Sequence, residues 1–333
     1  MRRVIGLIFV VLLGVLALGA WWLNHSLVLG PPVVELSIES GRTPRGVAQD
    51  AVKAGVKTSP QLLYWWFKLS GQARRIKAGS YELQGDISPR LLLKKLVQGD
   101  EALRAVTLVE GLTFKQIRVV LQNAEHLSQD TIGIEADLIM QKLERLGIQA
   151  EGRFYPDTYT YAKGSSDLDV LKRALHAMDR HLDAAWQSRQ PDSPLFSPDQ
   201  LLTLASIIEK ETGRAEERPM ISSVFTNRLR LGMMLQTDPT VIYGMGNKFD
   251  GNLRRRDLLT DTPWNTYTRT GLPPTPISIP GKASLMAAAQ PATSNALYFV
   301  ARGDGTSQFS ETLPEHNRAV NQFQRGPYNQ TNK

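Results

Sequence analysis

The sequence predicts an α+β protein built from an N-terminal transmembrane helix, a small βααβ domain and a larger mixed α/β domain. Three observations carry that expectation. An uncharged apolar run from Val4 to Leu23 is long enough to cross a bilayer core. Strand-period and helix-period segments then follow in the order strand, helix, helix, strand within about fifty residues. Beyond them the chain is mostly helical, with loops rich in Pro and Gly in its last third.

Length and composition set the bounds. The 333 residues suffice for two ordinary domains and an anchor. There are no cysteines, which excludes disulfides, thiolate metal sites and a lipid-modified cysteine. The five histidines are scattered, and His176 and His181 do not have helical ligand spacing. No metal and no cofactor are therefore expected. The net charge of +7 comes from dispersed clusters such as Arg74-Arg75 and Arg254-Arg255-Arg256. These read as solvated faces, and no nucleic-acid motif accompanies them.

At the N-terminus, Met1-Arg2-Arg3 precede the apolar run and Trp21-Trp22 close it. Aromatics at that point suit a bilayer interface, and the two arginines favour a cytoplasmic end. An uncleaved anchor over 4–23 is expected, with residues 1–3 cytoplasmic and the remainder outside the cytoplasm. A cleaved signal peptide is the alternative.

Residues 24–34 read as a linker closed by Pro31-Pro32. Val33 to Ile38 alternates as a strand. Thr43-Pro44 opens a helix that Gly55 stops, and Ser59-Pro60 opens a second, closed by Gly71. Lys77 to Leu83 reads as the next strand. Ser88-Pro89 starts a helix that runs to Gln98 and ends at Gly99. Leu103 to Val109 is a strand, followed by a helix capped by Thr113 with Gln116. Further helices are expected over Ala136 to Leu146 and, with a buried seam of Leu171, Leu175, Met178 and Leu182, over Leu168 to Trp186. Between them, Glu151 to Tyr159 reads as an aromatic, turn-rich segment.

The most informative helix starts at Ser197-Pro198, with Gln200 completing a capping pair, and reads as ending at Gly213. Leu201, Leu204, Ala205 and Ile208 form its apolar stripe. At about 100° per residue, Glu211 projects roughly 60° from the centre of that stripe and Glu209 roughly 100° to its other side. Glu211 is thus the more inward of the two. It also lies where the helix dipole disfavours negative charge. Burial and dipole both favour a retained proton, as a general acid needs. On helix geometry alone, two solvated last-turn glutamates are the commoner alternative. The loops that follow interleave Asn, Gln, Asp and Tyr with Pro and Gly. Such a mixture fits a sugar with polar hydroxyls and apolar ring faces, or simply a set of rigid turns.

Ordered pieces of the chain resemble the YceG-like family of endolytic murein transglycosylases. They are Ala205-Ser-Ile-Ile-Glu-Lys-Glu211-Thr, Glu217-Arg218, Val224-Phe225 with Asn227-Arg228-Leu229, Leu235-Gln-Thr-Asp-Pro-Thr240, Asn265-Thr-Tyr267, Gly271-Leu-Pro-Pro274 and Pro280-Gly281. Glu110-Gly111 and Phe154-Tyr-Pro156 also fit. Trp264 stands where the family usually has tyrosine, and Thr275 where it has glycine. The resemblance implies cleavage of the MurNAc-β-1,4-GlcNAc bond of peptidoglycan without water, leaving 1,6-anhydroMurNAc ends. It places the catalytic carboxyl on Glu211, with Gln236, Asp238, Tyr243, Asn265, Tyr267 and Thr268 as substrate-binding residues. Asp238 could instead only cap a helix.

The element order of residues 35–99 resembles a LysM-type glycan-binding module, with Tyr64, Trp65 and Trp66 as stacking platforms. A βααβ unit that only packs on its neighbour is the alternative. The expected division is then a LysM-like domain at 35–99, a connecting α/β region at 100–190, a catalytic domain at 191–325 and a disordered tail at 326–333. The implied setting is the inner membrane with the catalytic domain periplasmic. The implied partners are peptidoglycan strands, the membrane and peptidoglycan synthases (penicillin-binding proteins). Two other functions stay open: a hydrolytic muramidase using Asp238 as the second carboxylate, and a non-catalytic wall-binding scaffold.

Overall fold

The computed structural model describes residues 2–324; the predicted tail at 326–333 lies outside them. The chain forms two compact units. One contains the chain up to Arg104 with Glu125–Leu127 and Thr160–Ser165, and the other contains the rest. The stretch 100–190 is thus divided between the two.

In the first unit, α1 (Arg2–Asn24) leads into β1 (Val28–Leu29) and β2 (Val33–Ile38). Next come α2 (Pro44–Ala54), β3 (Val56–Lys57), α3 (Pro60–Leu69), β4 (Gly79–Gln84) and α4 (Pro89–Gln98). Strand β2 alternates in burial, so Val34, Leu36 and Ile38 face one side. It pairs antiparallel with β4 from Val33↔Gln84 to Ile38↔Gly79. A second, two-residue antiparallel pair joins β1 to β3. Leu63, Phe67, Leu92, Leu93 and Leu96 complete the core from the helices. The Thr43 and Ser88 hydroxyls cap α2 and α4 by accepting from Gly46 N and Leu91 N. The strand expected from Lys77 starts two residues later, because Lys77 N donates to Leu96 O at the end of α4 instead of joining the ladder.

Next come β5 (Leu103–Thr107), α5 (Phe114–Gln122), α6 (Ala136–Lys142), β6 (Thr158–Ala162) and α7 (Asp167–Gln187). Strands β5 and β6 pair with each other. The remaining elements are α8 (Pro198–Glu211), α9 (Arg218–Arg230), α10 (Asp238–Met245), α11 (Arg255–Leu259) and α12 (Lys282–Ala289). The hairpin β7 (Tyr298–Ala301) and β8 (Ser307–Ser310) and the helix α13 (Leu313–Phe323) end the fold. Helix α6 is shorter than its sequence pattern. Glu144 takes a left-handed φ of 62°, and Arg145 N turns back to Met140 O.

Helix α8 is the centre of the second unit. All residues from Leu201 to Ile208 are buried, against α7, α9, α10 and α12. A helix apolar all round belongs inside a core. Of its two buried polar residues, Thr203 donates its hydroxyl to Asp199 O at 2.8 Å and Ser206 is fully used. The Ser206 hydroxyl donates to Thr203 O at 2.7 Å and accepts from Ile277 N at 3.0 Å, and Ser206 O accepts from Ser278 Oγ. Those bonds fasten the 277–281 segment along α8.

Candidate active site

The helix ends on Glu211, so the first residue past it is Thr212 rather than the expected Gly213. Thr212 is extended (φ −143°), and its hydroxyl accepts from Arg214 N at 3.0 Å. Glu211 is thereby the last residue of a rigid, buried helix. Its carboxyl accepts a hydrogen bond from the Thr237 hydroxyl. Burial pushes the Glu211 carboxyl above its ordinary range. The Thr237 bond opposes that shift, and the nearby Asp238 carboxylate adds to it. The proton is therefore held by desolvation and a like charge.

Glu209 corrects the helix-wheel expectation. Its side chain is 5% exposed and bonds Arg218 at 3.0 Å, while its other oxygen accepts from Gly281 N at 2.9 Å. The start of α9 and the 277–281 segment cover that flank of α8, so both glutamates are inside. Glu209 is closed in by a cation and a backbone amide.

Thr237 is placed by a small hydroxyl network. Gln236, at a left-handed φ of 51°, donates its N–H to Thr266 O. Thr237 N donates to the Thr266 hydroxyl at 3.1 Å, and that hydroxyl meets the Thr240 hydroxyl at 2.9 Å. Thr266 is held in turn by its fully buried neighbour Asn265. The Asn265 amide donates to Leu258 O at 3.0 Å and Thr260 O at 2.7 Å, and its oxygen accepts from Tyr267 N at 2.8 Å. Tyr267, so oriented, donates its hydroxyl to Asp238 at 2.6 Å.

Glu211, Gln236, Asp238 and Tyr267 line one groove of about 660 Å³, within the size range of ligand sites. Arg228, Tyr298 and His316 line it as well. The Arg228 guanidinium is buried and donates to Leu297 O at 2.7 Å and Leu235 O at 2.8 Å. It lies over the Tyr298 ring at 5.1 Å and forms no ion pair among the described residues. Burial, then Arg228, push His316 below the usual histidine range, so it is neutral near pH 7.

The other predicted residues stand elsewhere. Asn265 lies beneath the groove as a loop staple. Thr268 donates to Asp261 at 2.8 Å in an exposed loop. Tyr243, at the far end of α10, donates to Glu151 at 3.0 Å beside a separate cavity of about 550 Å³. Glu151 also accepts from Phe114 N, and burial pushes its carboxyl up to about 7. Sequence reasoning left out Thr237, Arg228, Tyr298, His316 and Glu151 as site candidates. The Gln-Thr-Asp-Pro and Asn-Arg-Leu pieces carried the first two. A Thr312-to-Glu315 capping box announces α13, the helix that brings His316.

A carboxyl whose hold on its proton is strengthened by burial, at the wall of a polar groove and next to hydroxyl donors, is the arrangement of an acid–base enzyme. Residues 36–322 match the model of the YceG-like family, and the chain belongs to that family. The endolytic murein transglycosylase of Bacillus subtilis (strain 168) is 30% identical over 307 residues, covering 87% of this chain and 84% of that protein. The endolytic murein transglycosylase of Streptococcus pneumoniae serotype 2 (strain D39) is 27% identical over 320 residues, covering 86% of this chain and 58% of that longer protein. A 2.6 Å crystal structure of a YceG-like protein from Listeria monocytogenes shares the fold, with a TM-score of 0.54 and 28% identity over 86% of this chain and 98% of that one.

Proposed function

We propose that this chain is an endolytic murein transglycosylase, cutting the MurNAc-β-1,4-GlcNAc bond inside peptidoglycan strands with Glu211 as its one acid–base group. The observation that carries the reading is the Glu211 carboxyl. Burial and Asp238 raise its affinity for a proton, Thr237 fixes it, and it opens on the groove. Protonated Glu211 gives its proton to the glycosidic oxygen as the bond to C1 of MurNAc breaks. The C6 hydroxyl of the same sugar then bonds C1, and the Glu211 carboxylate takes the hydroxyl proton. A 1,6-anhydro end forms and Glu211 is protonated again, with no water consumed. In this reading Gln236, Asp238 and Tyr267 contact the sugar, while Asn265 positions Tyr267 and Thr266 from below. Tyr243 and Thr268 act at a distance or not at all.

The first unit would serve as the LysM-like glycan-binding domain (35–99), and the catalytic domain would span 191–325. Helix α1 is uncharged from Ile5 to Asn24 and exposed from Ile5 to Trp21, with Trp22 and Leu23 half-buried at its end, which supports an uncleaved anchor with a cytoplasmic N-terminus and a periplasmic body. Peptidoglycan strands near the inner membrane would then be the substrate, and peptidoglycan synthases the working partners. Digestion of purified, uncrosslinked glycan strands followed by mass analysis tests the reaction. Anhydro ends throughout the length distribution are expected. Reducing ends carrying added water would instead identify a muramidase, and unchanged strands a binding scaffold.

A further inference from the structure

The surface of α3 carries apolar side chains that the core does not use. Leu62 is 51% exposed, Trp65 51% and Leu69 79%. At about 100° per residue they fall within an arc of about 60°, centred about 150° from core-facing Leu63 and Phe67. The flank between stripe and core belongs to Trp66, whose indole N–H donates to Pro89 O at the start of α4 at 3.0 Å. Leu27 N donates to Ile87 O, two residues earlier, at 2.8 Å. Trp22, near the end of α1, packs on the same core cluster as Trp66. The stripe therefore continues, through Trp66 and the start of α4, to where the apolar helix leaves this unit. Exposed Leu91 lies on the same start of α4.

The segment that carries the stripe is basic. Residues 61–95 hold seven Lys or Arg (68, 74, 75, 77, 90, 94, 95) against two acids (82, 86). Exposed Lys68 stands 5.1 Å from the Trp65 ring centroid. Among the described residues Lys68, Arg74, Arg75 and Arg90 form no ion pair. An apolar helix face carrying Trp and Leu with free cations at its border is the make-up of a surface that lies in a bilayer interface. The basic residues fit anionic headgroups.

We infer that the α3 stripe Leu62–Trp65–Leu69 seats the first unit on the anionic surface of the bilayer that α1 enters, as a second, peripheral membrane contact. The inference rests on the anchoring reading and is independent of the chemistry at Glu211. It gives this unit one preferred face toward the membrane instead of free rotation about its anchor.

The absence of cysteine makes the test direct. The full chain, one copy per nanodisc of phosphatidylcholine and phosphatidylglycerol, carries a single fluorescent label at Leu69→Cys, Val11→Cys or Gln98→Cys. Gln98 is the opposite end of α4, about 13 Å from Pro89. Brominated lipid should quench the Val11 label strongly and the Leu69 label by about half, as suits interfacial depth, and leave Gln98 bright. Adding L62S/W65S, or using phosphatidylcholine alone, should reduce quenching at Leu69 and not at Val11. Quenching at Val11 without any at Leu69 overturns the inference and keeps the anchor. A Leu69 label that is shielded but not quenched means protein covers the stripe, which also overturns it. No quenching at Val11 removes the anchor and this inference with it.

Discussion

The two ends of α10 each face a buried carboxyl, and the contrast between them separates chemistry from architecture. At the N-terminal end, Glu211 has one hydroxyl donor, Thr237, a like charge in Asp238 and an open groove. At the C-terminal end, Glu151 has both oxygens occupied, by Phe114 N and Tyr243 OH. Burial raises both pKa values. A raised pKa therefore does not by itself mark the working carboxyl. What singles out Glu211 is that its carboxyl takes a single side-chain donor, Thr237, and opens on the groove.

The largest expected effect tests this contrast directly. Glu211→Gln keeps the shape and removes the proton, so turnover on glycan strands should fall by about 10²–10⁴ with melting behaviour little changed. Glu151→Gln should leave turnover per folded molecule within a few-fold of wild type. Equal losses in the two variants would erase the distinction.

Glu209→Ala should act on stability. Its partner Arg218 is 9% exposed at the side chain, and stranding a buried charge costs about 3–5 kcal/mol. Urea unfolding measures this, and a loss under 1 kcal/mol would show that the pair is not buried in solution.

Glu151 also sets a pH dependence. The folded carboxyl holds its proton up to about 7, while the unfolded one releases it near 4.5. Between those values the folded state binds more protons, so this group's contribution to stability is full below 4.5 and is lost as pH rises through about 7. The loss is on the order of 3 kcal/mol. Unfolding curves of wild type and Glu151→Gln across that interval should diverge accordingly, and parallel curves would mean the carboxyl is hydrated.

The smallest effect sharpens the Glu211 end. Thr237→Val removes the bond that holds the Glu211 pKa down. Because the acid must start protonated, the alkaline limb of the activity profile should move to higher pH. A limb that moved down, or not at all, would mean Thr237 does not touch the working carboxyl.

Local chemistry made much of this fold legible. Thr43-Pro44 to Gly55, Ser88-Pro89 to Gly99 and the Thr113–Gln116 box all bound helices where their residues say so. Those signals act within one turn. Strand β6 escaped because Thr158 to Ala162, with Tyr159 and Tyr161 turned inward, follows a segment dominated by turn residues. The site was legible in type and less so in place. An Asn amide that binds a sugar and one that staples a loop look alike in sequence. Only the carbonyls of Leu258 and Thr260, brought near Asn265 by α11, decide which it is. Likewise the direction of Glu209 depends on a segment seventy residues downstream, which no helix wheel includes.

Only His25, Ser26 and Leu27 separate the end of α1 from β1. Three residues reach at most roughly 11 Å, and Leu27 is already fastened to Ile87. With α1 in a bilayer, this tether keeps the first unit against the membrane plane, so the unit explores two dimensions instead of three. Lengthening that tether with a flexible insert would change how far from the membrane the enzyme can cut while leaving every atom of the groove in place.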